Sequence, residues 1–202
     1  MILIIDYGMG NLRSVLKAFE RNNLKATVSH KISDLEKSKK IVLPGVGHFN
    51  KGKENLDNLG LSDILNHKVK NDRTPILGIC LGMQLMTMFS EEGSKEGFGW
   101  VDAKTIRFKF PDNKVKIPHM GWNNIVKKKK HTILDGINNN DLFYFVHSYH
   151  VICNKSEDIL SKSYYGNNFV SAFQRDNIIG TQFHPEKSHS YGLRILKNFA
   201  KI

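Results

Sequence analysis

Apolar residues in the first half of the chain form short continuous runs, separated by stretches with helical spacing. Ile2–Ile5 is such a run, as expected of a strand buried on both faces. Leu12, Val15, Leu16 and Phe19 then recur every three to four residues, with Asn11 at the N-cap position. Ala26–Val28 predicts a second strand and Lys40–Leu43 a third, ended by Pro44-Gly45. Leu61, Ile64, Leu65 and Val69 predict another helix and Pro75–Ile79 a fourth strand. Met83, Leu85, Met86 and Phe89 mark the helix after it. Alternation of this kind implies parallel strands joined by crossover helices.

From about Ala103 to Phe183 the pattern changes to short strands and turns. The predicted strands are Thr105–Phe110, Asn123–Val126, Leu142–Val151, Ile159–Tyr165, Phe169–Gln174 and Ile178–Phe183. Asp176-Asn177 is the expected hairpin turn between the last two. Gly192–Ala200 closes the chain as an amphipathic helix. The expected fold class is α/β: a mostly parallel sheet flanked by helices, with an antiparallel extension. No repeat or linker divides the chain, so residues 1–202 are expected to form a single domain.

Composition narrows the partners. The 202 residues are 40% hydrophobic and 24% charged, within the range of globular proteins. No apolar run approaches the roughly 20 residues of a membrane span. The start, MILIIDYG, lacks a basic segment and its apolar run is only Met1 to Ile5, so no signal peptide and a cytoplasmic location are expected. That setting favours reduced thiols at Cys80 and Cys153. The net charge of +11 suits acidic partners. Lys127–Lys130, followed by His131, has no interleaved aromatics of the kind a single-strand nucleic-acid surface uses; it reads as an exposed turn.

The strongest chemical signal is Gly78-Ile79-Cys80-Leu81-Gly82 between a predicted strand and a predicted helix. It has the form of a nucleophile elbow with cysteine as nucleophile. A sharp turn would strain Cys80, and side chains two residues either side would clash, which explains the glycines. The helix N-terminus would favour a thiolate. Backbone N–H groups around the elbow, Leu81 among them, would help bind an oxyanion. A thiolate attacking an amide also needs a proton carrier. Of nine histidines, His184 stands out, because it ends a strand and precedes Pro185-Glu186, whose carboxylate can reach back to the imidazole. His30, His67 and His131 read as surface residues; His119, His147 and His150 sit among aromatics or glycine and suit a cleft lining.

With these residues in view, the sequence resembles class I (triad) glutamine amidotransferases. The segments that carry the resemblance span nearly the whole chain: IDYGMGNLRSV (Ile5–Val15), LPGVGHF (Leu43–Phe49), GICLGMQL (Gly78–Leu85), PHMGWN (Pro118–Asn123), YFVHSYH (Tyr144–His150) and GTQFHPEKS (Gly180–Ser188). The resemblance implies that Cys80 forms a glutamyl thioester and that His184 and Glu186 complete a triad. It implies an oxyanion strand at Gly45, Val46 and Gly47, where a peptide flip aims an N–H at the intermediate. Gln84 and Glu92 would hold glutamine together with His147, Ser148 and Tyr149, although adjacent Glu91 could take the part of Glu92. Met120, Trp122 and Asn123 would face a partner. PHMGWN, FVHSY and IDYGMGNL are most similar to the histidine-biosynthesis branch, in which ammonia passes to a separate (βα)8-barrel synthase subunit of a heterodimer. A closely similar branch feeds a sugar amidotransferase for surface glycans. His150 departs from the Tyr or Phe usual after His-Ser-Tyr. No cofactor, metal, membrane or nucleic acid is implied.

Overall fold

The structure, a computed structural model, describes residues 1–111 and 115–202. Its elements follow in chain order. The first part holds β1 (Ile2–Ile5), α1 (Leu12–Glu20), β2 (Ala26–Ser29), α2 (Ile32–Lys37), β3 (Lys40–Leu43), α3 (Phe49–Asn58), α4 (Leu61–Lys70), β4 (Ile76–Ile79) and α5 (Leu81–Leu85). The rest holds β5 (Ala103–Arg107), β6 (His119–Asn124), β7 (Val126–Lys127), β8 (Leu142–His147), β9 (Tyr149–Cys153), β10 (Ile159–Tyr165), β11 (Asn167–Arg175), β12 (Ile178–Thr181) and α6 (His189–Phe199).

Five strands lie parallel in the order β2-β1-β3-β4-β12. The sheet then continues antiparallel through β11, β10 and β7, with β9 pairing β11 and β5. Strands β6 and β8 form a separate two-stranded sheet. The mixed α/β class expected from the sequence is the one observed.

Strand alternation sorts the core into two layers. Leu3, Ile5, Ile41, Leu43 and Ile76 pack on one face with Leu35, Leu56, Leu61, Leu65 and Met83, from α2, α3, α4 and α5. Ile2, Ile4, Val42, Leu77 and Ile79 pack on the other with Val15, Phe19, Leu196 and Phe199, from α1 and α6. Both faces of the parallel strands are covered, which is why those strands read as unbroken apolar runs. Asn11 caps α1 as expected, its side chain accepting from the Ser14 N–H at 3.2 Å.

Several features differ from the sequence-based expectations. Helices α2 and α3 leave too weak an apolar stripe to have been read. The helix after Cys80 stops at Leu85 and does not reach Phe89. Its last carbonyls are taken by the segment that follows: Phe98 N–H donates to Leu85 O at 2.8 Å and Trp100 N–H to Met86 O at 3.0 Å. Gly97 permits that approach, since a Cβ there would run into the Thr87 carbonyl. The predicted strand Leu142–Val151 divides at Ser148, because β8 pairs with β6 while β9 pairs with β5 and β11. The run Lys127–Lys130 is only partly a turn. Lys127 belongs to edge strand β7, opposite Ser161, and half-buried Lys129 donates through Nζ to Gln174 O at 3.1 Å. His131 is half-buried as well. Among the described residues, no helix is long and apolar enough to cross a membrane.

Candidate active site

The carboxyl ends of the parallel strands converge on one edge of the sheet, where open α/β sheets place their ligands. β3 leads into Pro44–Gly47, β4 into Cys80, and β12 into Gln182–Glu186. Cys80 sits at φ 53°, ψ −107°, a conformation that L residues rarely adopt. Its neighbours hold it there: Cys80 N–H donates to Thr181 O at 2.8 Å, and Cys80 O accepts from Gln84 N–H at 3.2 Å. The glycines are required by contact. A Cβ on Gly78 would lie 2.7 Å from Met83 N, and one on Gly82 would run into the Leu43 carbonyl. With α5 only five residues long, any dipole acting on the thiol is that of one turn.

His184 and Glu186 meet. Imidazole Nδ1 lies 2.7 Å from Glu186 Oε1, with both side chains almost wholly buried. Pro185 opens a one-turn 3-10 helix that brings the carboxylate back over the ring. The backbone at His184 is pinned by its N–H donating to Tyr144 O at 2.9 Å and by Ser188 Oγ donating to its carbonyl at 2.6 Å. Its Nε2 is buried and has no hydrogen-bond partner among the described residues. Burial works against a protonated His184, but the neighbouring Cys80 and the Glu186 carboxylate outweigh it and raise its pKa to about 10.

In front of Cys80 lies a cavity of about 190 Å³. Val46, Gly47, Leu81, Gln84 and Glu92 line it, and so do His147, Ser148 and Tyr149 from the β8–β9 junction. The adjacent glutamates are placed differently, and only Glu92 lines the cavity. Glu92 Oε2 accepts from the Phe49 N–H at 2.9 Å at the start of α3, beside the cavity. Glu91 is turned away to the Arg107 N–H at 2.8 Å. Gly45 lies behind the lining, and its carbonyl accepts from the Leu81 N–H at 3.3 Å. In this arrangement the Leu81 N–H is occupied by the Gly45 carbonyl.

Three other predicted residues lie apart from the cavity, on β6. Met120 and Trp122 are exposed, and Trp122 stacks on His189 with ring centroids 4.9 Å apart. Asn123 is half-buried and donates to Tyr164 O at 2.9 Å. His150 is not on that surface. It stacks on Phe108 at 4.5 Å, within the aromatic packing around Phe169 and His147.

Two site residues are not evident from the sequence. Tyr7 is fully buried and its hydroxyl donates to Pro44 O at 2.6 Å, anchoring the strand that carries Gly45. Burial, reinforced by the Cys80 thiolate, pushes its phenol pKa up. Gln182 is also fully buried, with Nε2 3.6 Å from Cys80 Sγ. Their signals are the Tyr within IDYGMGN and the Gln before Phe-His-Pro-Glu. Among the described residues no group of three or more His, Cys, Asp or Glu side chains is placed to hold a metal ion.

Sequence comparison agrees with this architecture. A family model described as glutamine amidotransferase class-I matches residues 3–202. The chain belongs to the class-I glutamine amidotransferases. Within the family it is 50% identical to imidazole glycerol phosphate synthase subunit HisH 2 of Methanococcus maripaludis, over 100% of this chain and 99% of the relative. It is 46% identical to the subunit HisH 2 of Pseudomonas aeruginosa, over the full length of both. Among solved structures, a glutamine amidotransferase superposes with a TM-score of 0.74 at 16% identity, over 100% of this chain and 98% of that one. That likeness shows the shared amidotransferase fold.

Proposed function

We propose that this chain is the glutaminase subunit of an imidazole glycerol phosphate synthase, acting as one domain. It hydrolyses glutamine to glutamate and ammonia and hands the ammonia to a (βα)8-barrel synthase subunit. The observation that carries the chemistry is the His184–Glu186 pair, 2.7 Å apart and acting on a cysteine at positive φ. Full-length identity to the HisH subunits supports the choice of partner.

The chemistry follows from the layout. The Cys80 thiolate attacks the amide carbon, an S–C bond forms, and the carbonyl electrons move onto oxygen. The His184 imidazolium gives its proton to the departing nitrogen as the C–N bond breaks, leaving a thioester and ammonia. Water then attacks the thioester carbon, His184 takes one of its protons, and the C–S bond breaks; Cys80 is restored as thiolate and His184 as imidazolium, and the new carboxyl loses its remaining proton to solvent as glutamate. Glu186 holds the ring and balances its charge. Gln84, Glu92 and the His147–Tyr149 strand hold the substrate.

The oxyanion needs donors, and the resting contact from Leu81 N–H to Gly45 O blocks them. Rotating the Gly45–Val46 peptide removes that carbonyl and presents the Val46 N–H in its place, so that Val46 and Leu81 together face the oxyanion. Met120, Trp122 and Asn123 are assigned to the synthase-facing surface.

A second reading has one observation in its favour. Similar HisH subunits carry copy numbers in their names, HisH 2 in P. aeruginosa and HisH 1 in Campylobacter jejuni. One copy could feed a different acceptor, such as a sugar amidotransferase. Complementation separates the two. In a histidine auxotroph lacking only this subunit, the chain together with its own barrel subunit should restore growth at low ammonium. Cys80→Ala should abolish that growth, while the purified variant complex keeps synthesis from added ammonium. No growth with the cognate barrel, with rescue of a surface-sugar mutant instead, selects the second reading.

A further inference from the structure

Five polar side chains that the triad does not use form a line from the partner-facing strand to the nucleophile. Their hydrogens can be assigned by exclusion, because the line passes through the Tyr149 backbone carbonyl, which can only accept. Tyr149 O receives His147 Nδ1 at 2.8 Å and Gln84 Nε2 at 3.1 Å. His147 therefore carries its proton on Nδ1 and accepts at Nε2, so His119 Nδ1, 3.1 Å away, must donate to it. His119 Nε2 is then an acceptor, facing Asn123 Nδ2 at 3.4 Å. Burial keeps both imidazoles neutral, lowering His119 to about 4 and His147 well below its ordinary value. From Tyr149 the logic runs on to the active site. Gln84 presents its NH2 to the Tyr149 carbonyl, so its second proton goes to Gln182 Oε1 at 3.1 Å. Gln182 is left with its NH2 toward Cys80 Sγ, at 3.6 Å.

We propose that Gln182 is a further catalytic residue: a neutral donor that stabilises the Cys80 thiolate, locked in its donating orientation by Gln84 and the Tyr149 carbonyl. The thiol has a competing arrangement, with Sγ 3.9 Å from Val146 O. A carbonyl favours S–H and an amide NH2 favours S⁻, so the two neighbours pull the sulfur toward opposite protonation states. The titratable groups that Cys80 acts on are His184 and Tyr7. Gln182 adds a donor whose presence does not depend on pH. Because Gln182 is fully buried, water does not replace that donor when it is removed.

The inference rests on the glutaminase reading only for which reaction the thiolate serves. Its test uses the full chain with iodoacetamide, without glutamine or partner, so the two fail separately: a wild type that hydrolyses no glutamine would still report on Gln182. Cys153 is the internal reference, since burial pushes its thiol up to about 12. Gln182→Met removes the donor at similar volume and should slow alkylation of Cys80 near neutral pH by about tenfold, the size of one hydrogen bond to a charged group. The pH midpoint of the reaction should move up. Gln182→Glu keeps the acceptor for Gln84 but turns a negative oxygen toward sulfur, so it should slow alkylation further. In the wild type, the Gln182 side-chain NH2 resonance should shift when Cys80 is alkylated. Wild-type alkylation rates in whichever variants fold, or an NH2 resonance that ignores alkylation, would overturn the proposal.

Discussion

At the scale of single residues, the site works by placing opposite preferences next to one another. His184 is buried, which by itself favours the neutral ring, yet it faces Cys80 and touches a carboxylate that favour the charged one. A folded-state pKa near 10, above the ordinary 6.5, has a definite sign. The stabilisation from this group is complete below about pH 6.5 and is lost as pH climbs through about 10. Because Cys80 is a principal source of the upward shift, Cys80→Ala should let His184 titrate at a lower pH. Histidine ring NMR shifts measured from pH 6 to 10 would show it. The melting-temperature advantage of wild type over the variant should shrink over the same interval. An unchanged His184 midpoint in Cys80→Ala would mean that the thiolate does not set it.

At the scale of elements, the elbow depends on how closely α5 approaches the end of β3. Gly82 has no room for a Cβ, because the Leu43 carbonyl occupies the position. Gly82→Ala should therefore destabilise the chain by about 3 kcal/mol, the upper range for overpacking, since the clash is with backbone that cannot rotate away. Gly99 makes a useful contrast. Its φ is +60° but a Cβ there would meet nothing within 4 Å. Gly99→Ala should cost only the left-handed backbone penalty of about 1 kcal/mol. Urea midpoints of the two variants test the order. The same crowding explains why Gly78, packed against the N-terminal turn of α5, was legible in the sequence. The short length of α5 was not, because the hydrogen bonds that end it come from residues 97–101.

At the scale of the whole molecule, the occupied Leu81 N–H and the exposed β6 surface belong to one problem. On the proposed function, ammonia released with no acceptor present is wasted. The isolated chain should hydrolyse glutamine slowly, with the rate rising when the synthase subunit is added, because docking has to release the Leu81–Gly45 contact. Trp122, exposed and braced flat against His189, has the character of an interface anchor. Trp122→Ala should raise the synthase concentration needed for half-maximal activation about 30-fold, the equivalent of about 2 kcal/mol. A titration of glutaminase rate against the synthase reads both effects. With a net charge of +11, association should also weaken with salt if the partner's face is acidic.

Much of this protein was written locally. The runs Ile2–Ile5 and Lys40–Leu43, the cap at Asn11, the elbow glycines and the His-Pro-Glu turn are each governed by neighbours within a few residues. Sequence alone therefore determined the parallel half of the sheet, the turn that carries Cys80, and the contact between His184 and Glu186. Tertiary structure decided whatever depends on contacts between distant segments. It divided the strand at Ser148, because two different partner strands claim its halves. It drew Lys129 onto the Gln174 carbonyl, 45 positions away, and stacked His150 on Phe108. It set Tyr7 against Pro44, and Gln182 against Gln84 across 98 positions. A side-chain amide or hydroxyl carries no periodicity of its own. Its role is defined by which acceptor the fold brings within about 3 Å, and no window of sequence contains that distance.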